Sequence, residues 1–396
     1  MKLFIVAGEA SGDQLGYKLI RALKAESPGV ELLGVGGDAM AREGFASLFP
    51  ISDISVMGIL PVLAHLPTLL ARIDETARAV VAARPDALVI IDSPDFTHRV
   101  AKKARKALPD LKVVDYVSPT VWAWRPGRAK KMGGYIDLVL ALLPFEPAAH
   151  DRLGGPRCLY VGHPLIERLD DFLGDDAKKA GGPVLVLPGS RGSVLARMGD
   201  AFGGAIARLE ALKPGLDYVL PASASIEGKI RAMVEGWKVK PRIILGESEK
   251  CAAFRSARAA LAASGTVTLE LALSRTPTIV AYKVPKLEEF VVRRLIQVPT
   301  IVLPNLILGE NAFPEFLQEQ ADAGPLAEAM AGIVDDSPER RRQLAALDQL
   351  SARMMLPEGI APSEKAAQAI YELLAATVKK PTPSLRAERS NPERQG

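Results

Sequence analysis

The stretch Ala87–Phe96, ALVIIDSPDF, limits the fold more than any other part of the chain. Its opening apolar run does not alternate, so it reads as a strand buried on both faces, the habit of parallel sheets covered by helices. Pro94 cannot donate to a sheet ladder, so the strand ends before it. Asp92 and Asp95 then stand at the carboxyl end of a buried parallel strand, the edge at which open α/β sheets bind ligands. A purely local reading also fits: Asp92 or Ser93 closes the strand, and Asp95 caps a helix over Thr97–Ala107.

The same grammar recurs along the chain. Leu3–Ala7 reads as a strand, Gly8-Glu9-Ala10-Ser11-Gly12-Asp13 as a turn, and 14–24 as a helix. Together they resemble the opening of a Rossmann-like unit, although the turn is not the GxGxxG of a nicotinamide site. Glu9 and Ser11 can face a crevice there, or serve the turn and the helix cap. Further strands are expected over Glu31–Val35, Lys112–Tyr116, Asp137–Leu142 and Leu159–Val161. Asp170–Gly182, rich in Asp, Lys and Gly and without an apolar period, reads as a linker. A second series follows it: Val184–Leu187, Asp217–Pro221, Arg242–Leu245, Ala259–Ala262 and Pro277–Ala281 as strands, with Ile301–Asn305 a short extended piece. Everything after Phe313 reads as helical, chiefly Pro338–Met355, capped by Ser337, and Ser363–Ala376.

Composition sets the scale. The chain has 396 residues, 48% of them hydrophobic, enough for two or three domains at roughly 150 residues each. No run of about 18 apolar residues is present, so no membrane span is expected. The start MKLFIVAGEASGD enters a strand directly, with no cleavable signal pattern. Two distant cysteines, Cys158 and Cys251, point to a reducing cytoplasm, and four histidines without HxxxH spacing argue against a protein-built metal site. Of the net charge of +4, the tail Thr377–Gly396 carries three, from five Lys/Arg against two Glu. A near-neutral body is not a nucleic-acid binder. The tail reads as disordered, or as weakly drawn to an anionic membrane.

Val56–Ile73, VMGILPVLAHLPTLLARI, is the unusual segment. Its one charge is Arg72, and Pro61 and Pro67 break a regular helix. It reads either as a buried helix or as an exposed apolar patch for lipid, with Leu60, Leu63, Leu66 and Leu70 as its large side chains. Ser118–Arg128 places two tryptophans and two arginines at a strand end, where aromatic faces suit sugar rings and guanidinium groups suit phosphate; a loop packed on its tryptophans is the plainer alternative.

The two series make an α/β chain of two Rossmann-like domains facing across a cleft, with C-terminal helices. In the second, LPGSR (Leu187–Arg191) and SGTVTLE (Ser264–Glu270) both fall at strand-to-helix turns. Arg191 and the N–H groups of Ser264, Gly265 and Thr266 suit a diphosphate. Glu270, one turn into its helix, suits ribose hydroxyls. Asp95, at its own strand end, has the chemistry to deprotonate an acceptor hydroxyl. The set describes a nucleotide-sugar glycosyltransferase that needs no metal and no cofactor.

In order, AGEASGD (Ala7–Asp13), VMGI (Val56–Ile59), IDSPDF (Ile91–Phe96), YVSPTVWAWRPGR (Tyr116–Arg128), LPFE (Leu143–Glu146), VGHP (Val161–Pro164), LPGSRG (Leu187–Gly192), SGTVTLE and LPN (Leu303–Asn305) resemble the lipid-A-disaccharide synthase family over nearly the whole chain. The resemblance implies an inverting, metal-independent transfer from UDP-2,3-diacylglucosamine to 2,3-diacylglucosamine 1-phosphate (lipid X), giving lipid A disaccharide 1-phosphate and UDP. It implies Asp95 as base, Arg191, Glu270 and Asn305 at nucleotide-binding positions, and Glu9 and Ser11 as functional first-loop positions. It further implies a peripheral enzyme on the cytoplasmic face of the inner membrane, with phospholipid as a partner surface and scope for a homodimer. The expected domains are 1–169 for acceptor and lipid, 183–335 for the UDP-sugar, 336–378 as helices packing back on or swapping between domains, and 379–396 as tail. One departure is visible: the family usually carries Glu soon after LPGSR, where this chain has Gly192-Ser193-Val194-Leu195. A non-hydrolysing nucleotide-sugar epimerase shares the architecture and is the alternative reading.

Overall fold

The computed structural model describes residues 1–55, 65–174, 181–285, 289, 294 and 297–378. Among these residues twelve strands run in chain order: β1 (Lys2–Ala7), β2 (Glu31–Val35), β3 (Ala87–Ile91), β4 (Lys112–Tyr116), β5 (Leu138–Ala141), β6 (Cys158–Tyr160), β7 (Val184–Leu187), β8 (Tyr218–Ala222), β9 (Arg242–Leu245), β10 (Ala259–Ala263), β11 (Thr278–Tyr282) and β12 (Glu315–Leu317). They form two six-stranded sheets, β2-β1-β3-β4-β5-β6 and β12-β11-β10-β7-β8-β9. Runs of Val, Ile, Leu and Ala predicted the central strands because those are covered on both faces; β3, β5, β7 and β10 are buried at every position.

Strand order reverses once in each sheet. In the first sheet β1 lies parallel to β3 with Ala7 beside Ile91, and β2 flanks β1 on the far side. In the second sheet β7 lies parallel to β10 with Leu187 beside Ala262, while β8 and β9 run off one way and β11 and β12 the other. Such a reversal, at the strands' carboxyl ends, is where open α/β sheets form a ligand-binding crevice. The chain divides into two compact units, Met1–Asp115 with Glu364–Gly396, and Tyr116–Ser363.

Several local expectations are corrected. Glu315–Leu317 is a parallel edge strand beside β11, not helix; three residues carry too little period to show it. Leu303–Leu308 is a helix with Pro304 in its first turn, not an extended piece. The expected linker begins inside the fold: Leu169–Phe172 is helical, and Phe172 is fully buried against Phe254, 6.3 Å away, and Leu185. One large side chain on an otherwise polar segment was enough to seat it. The helix after β3 starts at Pro94 rather than Thr97, because proline's fixed φ and missing N–H suit a first turn. Pro67 likewise opens the helix Leu66–Ala83 instead of breaking it.

The C-terminal helices behave as their caps suggested. Ser337 Oγ accepts the Arg340 N–H at 3.0 Å and starts Pro338–Met354. Leu347, Leu350 and Met354 of that helix share a core with Trp122, Leu269 and Phe313. The last helix, Pro362–Val378, belongs with the first unit, where the Tyr371 hydroxyl donates to the Leu23 carbonyl at 2.9 Å.

Candidate active site

In the second unit the β7/β10 crevice is a cavity of about 590 Å³. It is lined by the loops after β7, β8, β9 and β10 and by Tyr282 at the end of β11. Four helices begin on it: Gly192–Leu212, Glu227–Glu235, Glu247–Ser256 and Val267–Leu273. First-turn N–H groups lack intrahelical acceptors, and the longest of these helices spans 21 residues, so its dipole favours an anion at that end. Gly189 makes the β7 turn possible. Its φ is +116°, and a Cβ there would lie 2.7 Å from Val194 Cγ1.

The predicted residues Arg191, Ser264, Gly265, Thr266 and Glu270 all line this cavity. Arg191 precedes the first helical residue, is exposed, and takes no part in the ion pairs found among the described residues. Glu270 is nearly buried, and its Oε1 is 2.9 Å from the Lys250 ammonium. Ser264 Oγ donates to the Ile301 carbonyl at 2.8 Å, tying the turn to the segment before the Leu303–Leu308 helix. Asn305 is not on the lining. It is 1% exposed, its amide donates to Asn311 Oδ1 and the Phe313 carbonyl, and its Oδ1 accepts the Phe313 N–H at 2.8 Å. Its geometry is that of a clamp on the following loop. Where the family usually carries Glu, Val194 and Leu195 are buried in the core, so the carboxylates of the lining are Glu247 and Glu270.

Sequence reading missed the third loop, Gly246, Glu247 and Lys250. The signal was present: Leu245-Gly246-Glu247 is the same strand, glycine and helix start as the loops it did identify, and Gly246 has φ +89°.

The first unit's β1/β3 crevice is built alike but filled differently. Gly8 lets the β1 turn approach β3: its N–H donates to the Ile91 carbonyl at 3.2 Å, and a Cβ would lie 2.2 Å from Ser93 Cβ. Asp92 and Ser93 both adopt left-handed backbone, φ +58° and +45°, at a cost of about 1–3 kcal/mol each. Ser11 Oγ lies 2.8 Å from Asp92 Oδ2 and 3.1 Å from Glu9 Oε1, so the predicted Ser11 meets the β3 turn directly and Glu9 is joined to it through Ser11. Asp95 does not cap its helix. Ser93 holds the cap position, and Asp95 sits exposed in the first turn, where the dipole favours its negative charge. One turn on, buried His98 Nε2 is 3.1 Å from Asp115 Oδ2. The last residue of the first motif, Asp13, is structural: its carboxylate accepts the N–H groups of Gly37, Ala39 and Met40 at 2.7–3.1 Å.

The Trp loop divides into two parts. Trp122 is buried, stacks edge-on with Phe145 at 5.0 Å and donates to Glu146 Oε1 at 3.0 Å, while Glu146 Oε2 accepts the Leu143 N–H at 2.9 Å. Trp124 is exposed with the Arg125 guanidinium over its ring at 4.2 Å. Of the apolar patch, Leu60 and Leu63 lie outside the described residues. Leu66 and Leu70 are 40% and 45% exposed, whereas Ile73, Ala77 and Val80 of the same helix are buried. No helix among the described residues is long and apolar enough to cross a membrane, and none of their His, Cys, Asp and Glu side chains form a metal-sized cluster of three.

Residues 3–369 match the model of the lipid-A-disaccharide synthetase family. The lipid-A-disaccharide synthase of Nitrobacter winogradskyi is 50% identical over 379 residues, 94% of this chain and 96% of that protein. That of Bradyrhizobium diazoefficiens is 49% identical over 385 residues, 96% and 97% of the two chains. Among solved structures, S. aureus MnaA with UDP aligns with a TM-score of 0.62 at 14% identity, covering 96% of this chain and 99% of that one. Acinetobacter baumannii MurG aligns with a TM-score of 0.54 at 12% identity, covering 95% and 99%. At such identities the structural likeness speaks for the fold alone.

Proposed function

The chain belongs to the lipid-A-disaccharide synthase family, glycosyltransferases of lipid A biosynthesis, and from that premise we propose how its two crevices divide the reaction. The epimerase alternative falls away, since UDP-GlcNAc 2-epimerases are relatives of this fold at 11–13% identity only. The donor is a nucleotide sugar, UDP-2,3-diacylglucosamine, held at the β7/β10 cavity. Arg191 and the first-turn N–H groups of the helices that begin on the cavity take the diphosphate, and Glu270 accepts from the ribose hydroxyls. Asn305 contributes by clamping the 311–313 loop behind Ser264.

The acceptor is 2,3-diacylglucosamine 1-phosphate, and Asp95 is the base. As an acceptor hydroxyl oxygen bonds to the donor's anomeric carbon, its proton passes to the Asp95 carboxylate. The bond from that carbon to the diphosphate oxygen breaks, and UDP leaves with the electron pair. Attack on the face opposite the leaving UDP inverts the anomeric centre. Arg191 and the helix N-termini hold the charge that develops on UDP without a metal ion. Glu9 and Ser11 hold the Asp92–Ser93 turn, and through it the start of the helix that carries Asp95.

In this reading residues 1–169 handle acceptor and lipid, 183–335 the donor, and 336–378 pack back on them or join a second copy. Leu66 and Leu70, with Leu60 and Leu63, meet acyl chains and the phospholipid surface on the cytoplasmic face of the inner membrane. The convergence of Arg191, the Ser264–Thr266 turn and Glu270 on one cavity at the strand-order reversal carries the proposal. Radiolabelled UDP-diacylglucosamine incubated with lipid X tests it. A labelled disaccharide 1-phosphate and stoichiometric UDP are expected; UDP with free diacylglucosamine, or an epimerised sugar, would overturn it.

A further inference from the structure

The β7/β10 cavity holds a cation outside every motif named above. Lys250 lies one turn into the helix that follows β9, at one edge of the second sheet. Glu270 lies on the helix that follows β10, on the other side of β7. The two side chains meet over the cavity at 2.9 Å, Nζ to Oε1, with 23% and 15% of their side-chain surface exposed. Lys250 Nζ also lies 3.8 Å from Glu247 Oε1 and 5.6 Å from the Phe254 ring centre. It is thus enclosed by two carboxylates and an aromatic face. Arg191, the other cation on the lining, is exposed and pairs with no carboxylate among the described residues.

The two cations therefore suit different tasks. We propose that Lys250 is a positioning residue for the nucleotide: it fixes the Glu270 carboxylate in the orientation that receives the ribose hydroxyls and neutralises it beside the diphosphate. The proposal rests on the donor-site reading given above. A free glutamate side chain has three rotatable bonds, and ordering it only when the ligand arrives would subtract from binding. An uncompensated carboxylate on the same wall would repel a diphosphate. One ammonium bridging from the neighbouring helix removes both penalties before the ligand enters.

A double-mutant cycle on UDP affinity tests this, with titration calorimetry on wild type, Lys250→Met, Glu270→Gln and the double variant. Because the pair is partly buried, Lys250→Met is expected to weaken UDP about three- to tenfold. In the Glu270→Gln background the same change should cost less than about twofold, since the group it positions is gone. Lys250→Arg should retain affinity to within about threefold, a rescue that a packing role would not give, and equal melting temperatures exclude misfolding. An equal cost of Lys250→Met in both backgrounds would mean that Lys250 contacts UDP itself, and would overturn the positioning role. If Glu270→Gln weakens UDP and Lys250→Met does not, the inference fails alone. If Glu270→Gln leaves UDP affinity unchanged, the donor-site reading fails with it.

Discussion

The two strand-order reversals share a construction and differ in content. Each pairs two parallel strand ends in register, Ala7 with Ile91 and Leu187 with Ala262. Each relies on a glycine whose missing side chain lets a turn come close, Gly8 against Ser93 and Gly189 against Val194. The first carries acid and hydroxyl groups, Glu9, Ser11, Asp92 and Asp95, with strained backbone at Asp92 and Ser93. The second is open, at about 590 Å³, with four helix starts and two cations on its walls. Backbone topology supplies the crevice; in the proposed division, the side chains on its loops decide whether it moves a proton or holds an anion.

The sharpest way to break that division is Asp95→Ala. Loss of a general base costs about 10²–10⁴ in turnover, and radiometric transfer assays should show a fall of that size. Near-normal turnover would remove Asp95 from the chemistry. Next in size is Phe172→Ala, which tests whether the chain just before the second sheet belongs to its core. Truncating a fully buried Phe costs about 3–5 kcal/mol; an unchanged denaturant midpoint would return the segment to linker status. Arg191→Ala should weaken UDP by about ten- to a hundredfold, the loss of a charge-assisted contact worth about 1.5–3 kcal/mol. Calorimetric titration reads this directly, and undiminished affinity would leave the diphosphate without its cation.

The smallest effects belong to the helix Leu66–Ala83. Leu66→Ser with Leu70→Ser should lower binding to anionic vesicles while shifting stability by less than about 0.5 kcal/mol, as exposed positions do. Ile73→Ala on the same helix should cost about 2–5 kcal/mol and leave vesicle binding alone. Unfolding of the Leu66/Leu70 variant would make those residues core.

Much of this was legible in the sequence, for stated reasons. The covered strands announced themselves as unbroken apolar runs, and the loops of the β7/β10 cavity followed as glycine-bearing strand ends. What escaped depended on partners that no local period connects. Asn305 stood in a short motif, and only the fold shows its amide turned onto Asn311 and Phe313. Asp13 stood beside Glu9 and Ser11 in one motif, yet it caps the Gly37–Met40 backbone. Lys250 lies 20 residues before Glu270, and no helical or strand spacing connects them. Phe172 belonged to a polar stretch and was seated by one aromatic contact. Such positions are set by tertiary packing, which overrides local pattern.

If nucleotide binding and proton removal belong to different crevices, substitutions in the two must separate in one UDP titration series. UDP is titrated into wild type, Asp95→Ala and Glu270→Gln under the same conditions. The account predicts that Asp95→Ala binds UDP within about twofold of wild type, because a group that acts only in the transition state does not contribute to ground-state affinity. It predicts that Glu270→Gln binds about tenfold more weakly, as loss of hydrogen bonds to a charged acceptor requires. A Dissociation constant raised equally by both substitutions, or raised by Asp95→Ala alone, would contradict the division.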